Sequence, residues 1–392
     1  MKTPLAGIRV IEFTHMIMGP AVGAILASLG ADVVRVEPIG GDRTRRLLGS
    51  GAGYFPMFNR HKASLCLDLK QREAVEIARR LVRGADVLIE NYRPGAMQRL
   101  GLGYEALASG HPRLIYCSQK GFLPGPYENR TALDEVAQMM GGLAYMTGPP
   151  GRPLRAGASV VDVAGAMFGV IAILAAIEER HRTGRGQKVQ SSLFETTVYL
   201  IGQHMAQQAV TGKAPSPMPA RLSAWAIYDV FETRDDGAIF IGVVSDALWE
   251  RFCALFGLDA LWADESLREN NARVAQRERI LPPIRAHLRQ FTLQELLARL
   301  EGTGIPFAPI GRPEDMFDDP HLNASGALES VTLPNGTQTR LPALPIEMEG
   351  QRMGRAGVLP EGGADSRAIL EALGIGAGEI ERLVAAGTVG VT

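Results

Sequence analysis

One carboxylate stands alone in the middle of the chain. In "SVVDVAGAMFGVIAILAAIEERHRTGRGQ", residues 159–187, Asp162 precedes an apolar run, 163–177, that carries no charge until Glu178. An aspartate there has two readings. It caps a helix, since Asp is among the best N-cap residues and contributes about 1 kcal/mol there. Or it attacks an acyl carbon, and covalent catalysis divides one hard displacement into easier ones. The positive end of the helix dipole would keep it ionised at neutral pH in both roles. Cap and nucleophile are compatible, and local sequence does not separate them.

Other residues suited to chemistry lie where strands end. "FTHMIMGP" (13–20) occupies the place of a dinucleotide-binding turn but has only Gly19, so a G-x-G-x-x-G pyrophosphate turn is not supported. Its His15 reads as a base, a phosphate contact or a structural residue. Glu37 ends a strand, as a ribose-binding acid does. "NRHKASLCLDLK" (59–70), "ENYRPGAMQRLG" (90–101) and Arg130 scatter basic and polar groups that read as solvated surface singly and as a phosphate-binding set together. No zinc, P-loop, serine-elbow or EF-hand pattern is present.

The elements that must position these residues alternate. "IRVIEF" (8–13), "ADVVRVEP" (31–38), the end of "REAVEIARRLVRGADVLIEN" (72–91) and "RLIYCSQKG" (113–121) read as strands separated by helices. That order predicts a parallel sheet with right-handed crossovers, whose ligands bind at the strands' carboxyl ends. The useful loops then follow Phe13, Pro38, Asn91 and Lys120. The Gly- and Pro-rich stretch 122–160 is long for a connection, holds a helix around 133–146, and leads into the helix of Asp162. "TGKAPSPMPARLSA" (211–224) reads as a linker, and the Asp-Asp-Gly in 226–244 as the turn of a strand pair.

Composition bounds the answer. The chain has 392 residues, 46% of them hydrophobic and 21% charged, which predicts two or three packed domains. A formal net charge of −1 argues against nucleic acid or an anionic membrane as the main partner. Cys66, Cys117 and Cys253 fit no disulfide or zinc spacing. No signal peptide is read at the N-terminus, and the apolar run 163–177 is short of a bilayer span, so a cytoplasmic enzyme is expected.

Together, "PLAGIRVIEFTHMIMGPAVGAILASLGADVVRVEP", "ADVLIENYRPGAMQRLGLGYE", "LDEVAQMMGGLAYMTG", "DVAGAMFGVIAILAAIEERHRTGRGQKV" and "GIPFAPIGRPEDMFDDPHL" resemble the class III coenzyme A transferases. That family includes formyl-CoA and carnitine CoA-transferases and the α-methylacyl-CoA racemases. The resemblance implies an α/β fold: a Rossmann-like large domain (1–210 and 330–392), a linker (211–224) and a small α/β domain (225–329), in an interlocked homodimer. It places the reacting carboxylate at Asp162. It implies CoA contacts at His15, Met16 and Ile17, at Leu67, Asp68, Leu69 and Lys70, at Asn91, Tyr92 and Arg93, and at Arg99 and Arg130. Asp134, Gly141, Gly142, Arg152 and Arg155 are the expected acyl-substrate residues, with oxyanion donors near Gly141 and Gly142. No metal and no permanently bound cofactor is implied; the coenzyme A thioester is itself a substrate.

Three departures narrow the activity. Ile17 replaces the glutamine of formyl-CoA transferases and Pro38 their arginine, which points away from a formyl-CoA and oxalate pair. Leu133 stands where the racemases have a histidine base, so two-base proton exchange loses one arm and CoA transfer is favoured. The expected substrates are succinyl-CoA and a C4–C5 dicarboxylate such as mesaconate, itaconate, citramalate or malate. Racemase and non-catalytic acyl-CoA binder are the alternatives.

Overall fold

The computed structural model describes residues 3–221, 223–333, 335–353 and 357–392. Six strands, β1 (Arg9–Phe13), β2 (Asp32–Glu37), β3 (Ala63–Leu67), β4 (Val87–Glu90), β5 (Ile115–Lys120) and β6 (Lys188–Ser192), form one parallel sheet in the order β3-β2-β1-β4-β5-β6. Val389–Gly390 closes the β3 edge antiparallel. The strands are buried on both faces, as parallel sheets covered by crossover helices must be. Side-chain alternation assigns the faces. Val10, Val33 and Ile115 pack with Val22, Leu26, Val170 and Ile173 on one side. Ile11, Phe13, Val34 and Leu65 pack with Ile77, Leu81, Leu370 and Ile380 on the other.

Sequence expectation and structure differ in places. The helix expected over 21–30 runs Met18–Ser28, because Pro20 sits in its first turn where a missing N–H costs nothing. Gly30, at φ +101°, then supplies the left-handed step that turns the chain into β2. The helix expected around 133–146 is two, Asp134–Met140 and Leu143–Thr147, separated by Gly141 and a left-handed Gly142. β3 is a strand that the sequence pattern does not announce.

The long helix Val160–Thr183 lies on β5, β6 and the helix Met18–Ser28. Gly165 and Gly169 permit the approach: a Cβ at Gly169 would fall 2.3 Å from Gln119 Nε2, and one at Gly165 2.6 Å from Met18 Cε. Buried Arg180 anchors its far end on Asp86 at 2.9 Å and on the Arg113 carbonyl at 3.2 Å. The helix outruns the apolar stretch read from sequence and has the length and composition of a membrane span. Nearly half of its apolar window is nonetheless packed inside the fold.

The chain divides into two compact units, residues 1–219 with 320–392, and residues 220–319. The first cut falls inside the expected linker. The second falls at Pro320 rather than at 330, because Leu328–Thr332 pairs with Gln338–Pro342 and Gly357–Val358, while its Glu329 meets Arg60 at 2.9 Å. The smaller unit is an antiparallel sheet of Ile227–Glu232, Ala238–Val243 and Phe307–Pro309 with helices around a Trp249, Phe252 and Ile280 core. Its Asp-Asp-Gly turn places Asp236 at φ +56°.

Candidate active site

Strand order reverses on either side of β1, with β2 on one flank and β4 on the other. Such a reversal opens a crevice at the strands' carboxyl ends. Phe13 lies in register with Glu90, so the loops leaving β1 and β4 meet there. Asn91 clamps the first loop: its Oδ1 accepts from the His15 N–H at 2.9 Å, and its Nδ2 donates to the His15 carbonyl at 2.8 Å. The Tyr92 ring lies 5.9 Å from the imidazole. Reduced solvation pulls the His15 pKa below its ordinary value, with Asp42 opposing and Arg35 assisting. Met16 is held at φ +60°, a left-handed conformation rare outside glycine.

Asp162 reaches the same end of the sheet from the first turn of the long helix. The N-cap position belongs to Ser159, whose side chain makes no capping bond. The capping carboxylate is Asp134. Its Oδ2 accepts from the N–H groups of Val161 at 3.0 Å and Asp162 at 3.1 Å. Its Oδ1 accepts from Gln138 Nε2 at 2.6 Å and Arg155 at 3.2 Å. Asp162 is therefore freed from capping, which corrects one of its two sequence readings. The start of the first helix lies beside it, and the Met18 backbone there favours its charged form.

The expected ionisation is corrected too. Burial and the Asp134 carboxylate push the Asp162 pKa up to about 7, while Arg155 and the Met18 backbone oppose the rise. A like charge and lost solvation outweigh the helix dipole. Near neutral pH the group exchanges between acid and carboxylate.

The other expected residues divide. His15, Met16, Arg93, Arg99, Lys70, Arg130 and Arg152 are exposed, and Asn91, Tyr92, Asp68 and Leu69 half-buried. Arg130 lies over the Tyr127 ring at 5.1 Å. Ile17 is buried at 2% exposure, so only its main chain is free to meet a ligand. Leu67 is a core residue of β3, which corrects its assignment as a CoA contact. Gly141 uses its N–H to end the helix on the Ala137 carbonyl at 2.8 Å, so it is not an oxyanion donor. A Cβ there would fall 2.5 Å from Thr197. Arg155 is engaged by Asp134 rather than standing free.

Sequence reasoning missed two groups. Gln138, fully buried, ties the stretch before Asp162 to Asp134 and accepts from the Ala156 N–H at 2.8 Å. Beneath the first loop, Glu12, Arg35 and Lys62 form a buried ionic cluster. Its signal is present: charges inside strands buried on both faces are anomalous.

A pH-dependent stability difference follows. Folding lifts the Asp162 pKa from 3.8 to about 7, so over that interval the folded state holds a proton that the unfolded state has released. Stability falls as pH rises through the interval. Asp162→Asn removes this effect, so the melting-temperature gain over wild type should grow from pH 4 to 7 and then level off. A gain independent of pH in calorimetry would contradict the raised pKa.

Residues 5–366 match the model of CoA-transferase family III. A succinate–glutarate CoA-transferase of Agrobacterium fabrum is 35% identical over 86% of this chain and 87% of its own. A succinyl-CoA:mesaconate CoA-transferase of Haloarcula hispanica is 34% identical over 95% and 97%. Among solved structures, a CaiB/BaiF family protein from Brucella suis superposes with a TM-score of 0.84 at 33% identity, covering 95% of this chain and 100% of that one. A strand order that opens a crevice at β1, a raised carboxylate beside it, and relatives of the same length lead to one assignment: the chain belongs to CoA-transferase family III and is a CoA-transferase.

Proposed function

We propose that the enzyme moves CoA from succinyl-CoA to a C4–C5 dicarboxylate through Asp162. The observation that carries this reading is a carboxylate with a pKa of about 7 at the crevice, held by a cap that belongs to another residue. An ionised Asp162 attacks the thioester carbonyl, forming a mixed anhydride as CoA thiolate leaves. The thiolate then attacks the aspartyl carbonyl, giving an aspartyl-CoA thioester and free succinate. The acceptor carboxylate attacks that thioester, forms a second anhydride and expels the thiolate. The thiolate opens this anhydride at the acceptor carbonyl, leaving the new acyl-CoA and Asp162 restored. Anhydride and thioester are close in reactivity, so positioning and charge stabilisation supply most of the acceleration. The raised pKa favours attack, since a weaker acid is a stronger nucleophile once ionised. Exchange rises with pH as Asp162 ionises.

CoA lies at the β1 and β4 ends in this reading, with its phosphates near Lys70, Arg93 and Arg99. The names of the Agrobacterium and Haloarcula relatives, glutarate and mesaconate with succinate or succinyl-CoA, support dicarboxylates. Exposed Arg130 and Arg152 are the proposed holders of the free carboxylate, because a planar guanidinium binds it bidentately. A second copy of the chain interlocks with the first. What supports this is an apolar stripe left uncovered on the long helix, Met167, Ile171 and Leu174, continued by Tyr199 and Met205.

Asp162→Ala should abolish exchange, by several orders of magnitude in turnover, while CoA still binds. Hydroxylamine with succinyl-CoA should inactivate wild type by modifying Asp162. Retained activity within about tenfold sinks the nucleophile.

Arg130→Gln or Arg152→Gln should slow a dicarboxylate acceptor by about 1.5–3 kcal/mol and spare a monocarboxylate of equal length. Arg155→Gln, acting through Asp134, should slow both. Equal slowing by all three variants would refute the dicarboxylate assignment.

Interlocked chains separate only by unfolding, so dilution should yield no folded monomer. An active 42.2 kDa species in native mass spectrometry would contradict the dimer.

A further inference from the structure

Lys62 is buried beneath the first helix with all three of its N–H donors used. Its Nζ donates to Glu12 Oε1 at 2.8 Å, to the Pro20 carbonyl at 2.8 Å and to Asn59 Oδ1 at 3.2 Å. An ammonium has three donors and no acceptor, so this geometry leaves none unsatisfied. The Pro20 carbonyl belongs to the first turn of the helix Met18–Ser28. Glu12 leads back to the loop: Thr14 Oγ1 donates to Glu12 Oε1 at 3.2 Å and accepts from Arg35 Nη1 at 2.9 Å. Arg35 also donates to Glu12 at 3.0 Å and to Asp42 at 2.7 Å.

There is no slack in this arrangement. A Cβ at Gly23 would fall 1.8 Å from Glu12 Oε2 and 3.1 Å from Lys62 Nζ, so the helix rests directly on the ion pair. A Cβ at Gly19 would fall 2.8 Å from Thr14 and 2.9 Å from Asn91. Between these supports Met16 keeps its left-handed φ, a conformation that persists only where its surroundings over-determine it. The loop ends at Met18, whose side chain lies against the long helix just past Asp162: a Cβ at Gly165 would fall 2.6 Å from Met18 Cε.

We propose that Lys62 is a positioning residue for acyl transfer: by tying Glu12 to the Pro20 carbonyl it holds the start of the first helix, and Met18 with it, against the first turns of the helix that carries Asp162. The proposal rests on the reading of Asp162 as the nucleophile. Lys62 touches no reacting atom and acts through the helix. Its ammonium is faced by Glu12, Arg35 and Glu37, and burial lowers its pKa to about 8. Asp162 is faced by Asp134 and Arg155, and the Met18 backbone favours its ionised form. Loosening the helix start therefore weakens the support that the Met18 backbone gives the charged Asp162.

The test compares turnover against pH for wild type, Lys62→Met and Thr14→Val, each as folded full-length enzyme, with succinyl-CoA and a dicarboxylate acceptor. Both variants should turn over about ten- to hundredfold more slowly. Their acidic limb should also move to higher pH by about one unit, the low end of what one contact to a charged group contributes. A merely structural role would change the yield or melting temperature of the enzyme and leave the limb in place. An unmoved limb in a folded variant overturns the proposal, whatever the turnover. Should Lys62→Met not fold, Lys62→Gln decides by the same criterion. An active Asp162→Ala enzyme would refute the nucleophile itself; an inactive one beside an unmoved limb would refute only the role of Lys62.

Discussion

The site depends on one hydrogen-bonded contact, the Asp134 carboxylate on the first N–H groups of the long helix. A helix start packed into a fold must have its orphan N–H groups satisfied. Supplying the acceptor from a separate helix has two consequences. It leaves the Asp162 side chain free of capping, and it puts a second carboxylate beside the first. Their repulsion, added to lost solvation, lifts Asp162 to about 7, and Arg155 moderates the lift by facing both groups. Helix placement and nucleophile tuning thus come from the same interaction.

Much of this is legible in the sequence. The alternation of apolar runs with helical segments reveals β1, β2, β4 and β5, and the crevice follows from strand polarity. Asp162 stands out because it is the last charge before a long apolar stretch. β3 escapes notice because "ASLCL" is short and flanked by charges, and its burial comes from β2 and a strand at the far end of the chain. The capping by Asp134 is not readable locally, since the bond joins residues that only the fold makes neighbours. The misjudged ionisation of Asp162 has the same origin: the dipole is visible in sequence, the neighbouring carboxylate is not. Arg155 loses its expected freedom for that reason also.

The buried charges of β1, β2 and Lys62 show how local rules yield near a site. Strands covered on both faces favour apolar side chains, yet Glu12, Arg35 and Glu37 lie inside them at 2% exposure or less. Such charges persist because they are mutually paired, with Arg45 and Arg35 keeping the Glu37 carboxyl well below its ordinary pKa against burial. Local inconsistency of this kind is expected where structure supports function. Here it lies directly under the loop that carries His15 and Met16.

The most direct test of the chemistry is the fate of oxygen. Acceptor dicarboxylate labelled with heavy oxygen in its carboxyl groups should leave at least one labelled atom on Asp162 after turnover, because the bridging oxygen of the second anhydride stays with the aspartate when thiolate attacks the acceptor carbonyl. Mass spectrometry of the peptide spanning residues 159–187 would find the label there, with Asp134 unlabelled. Label on Asp134, or none on either aspartate after many turnovers, would contradict the account.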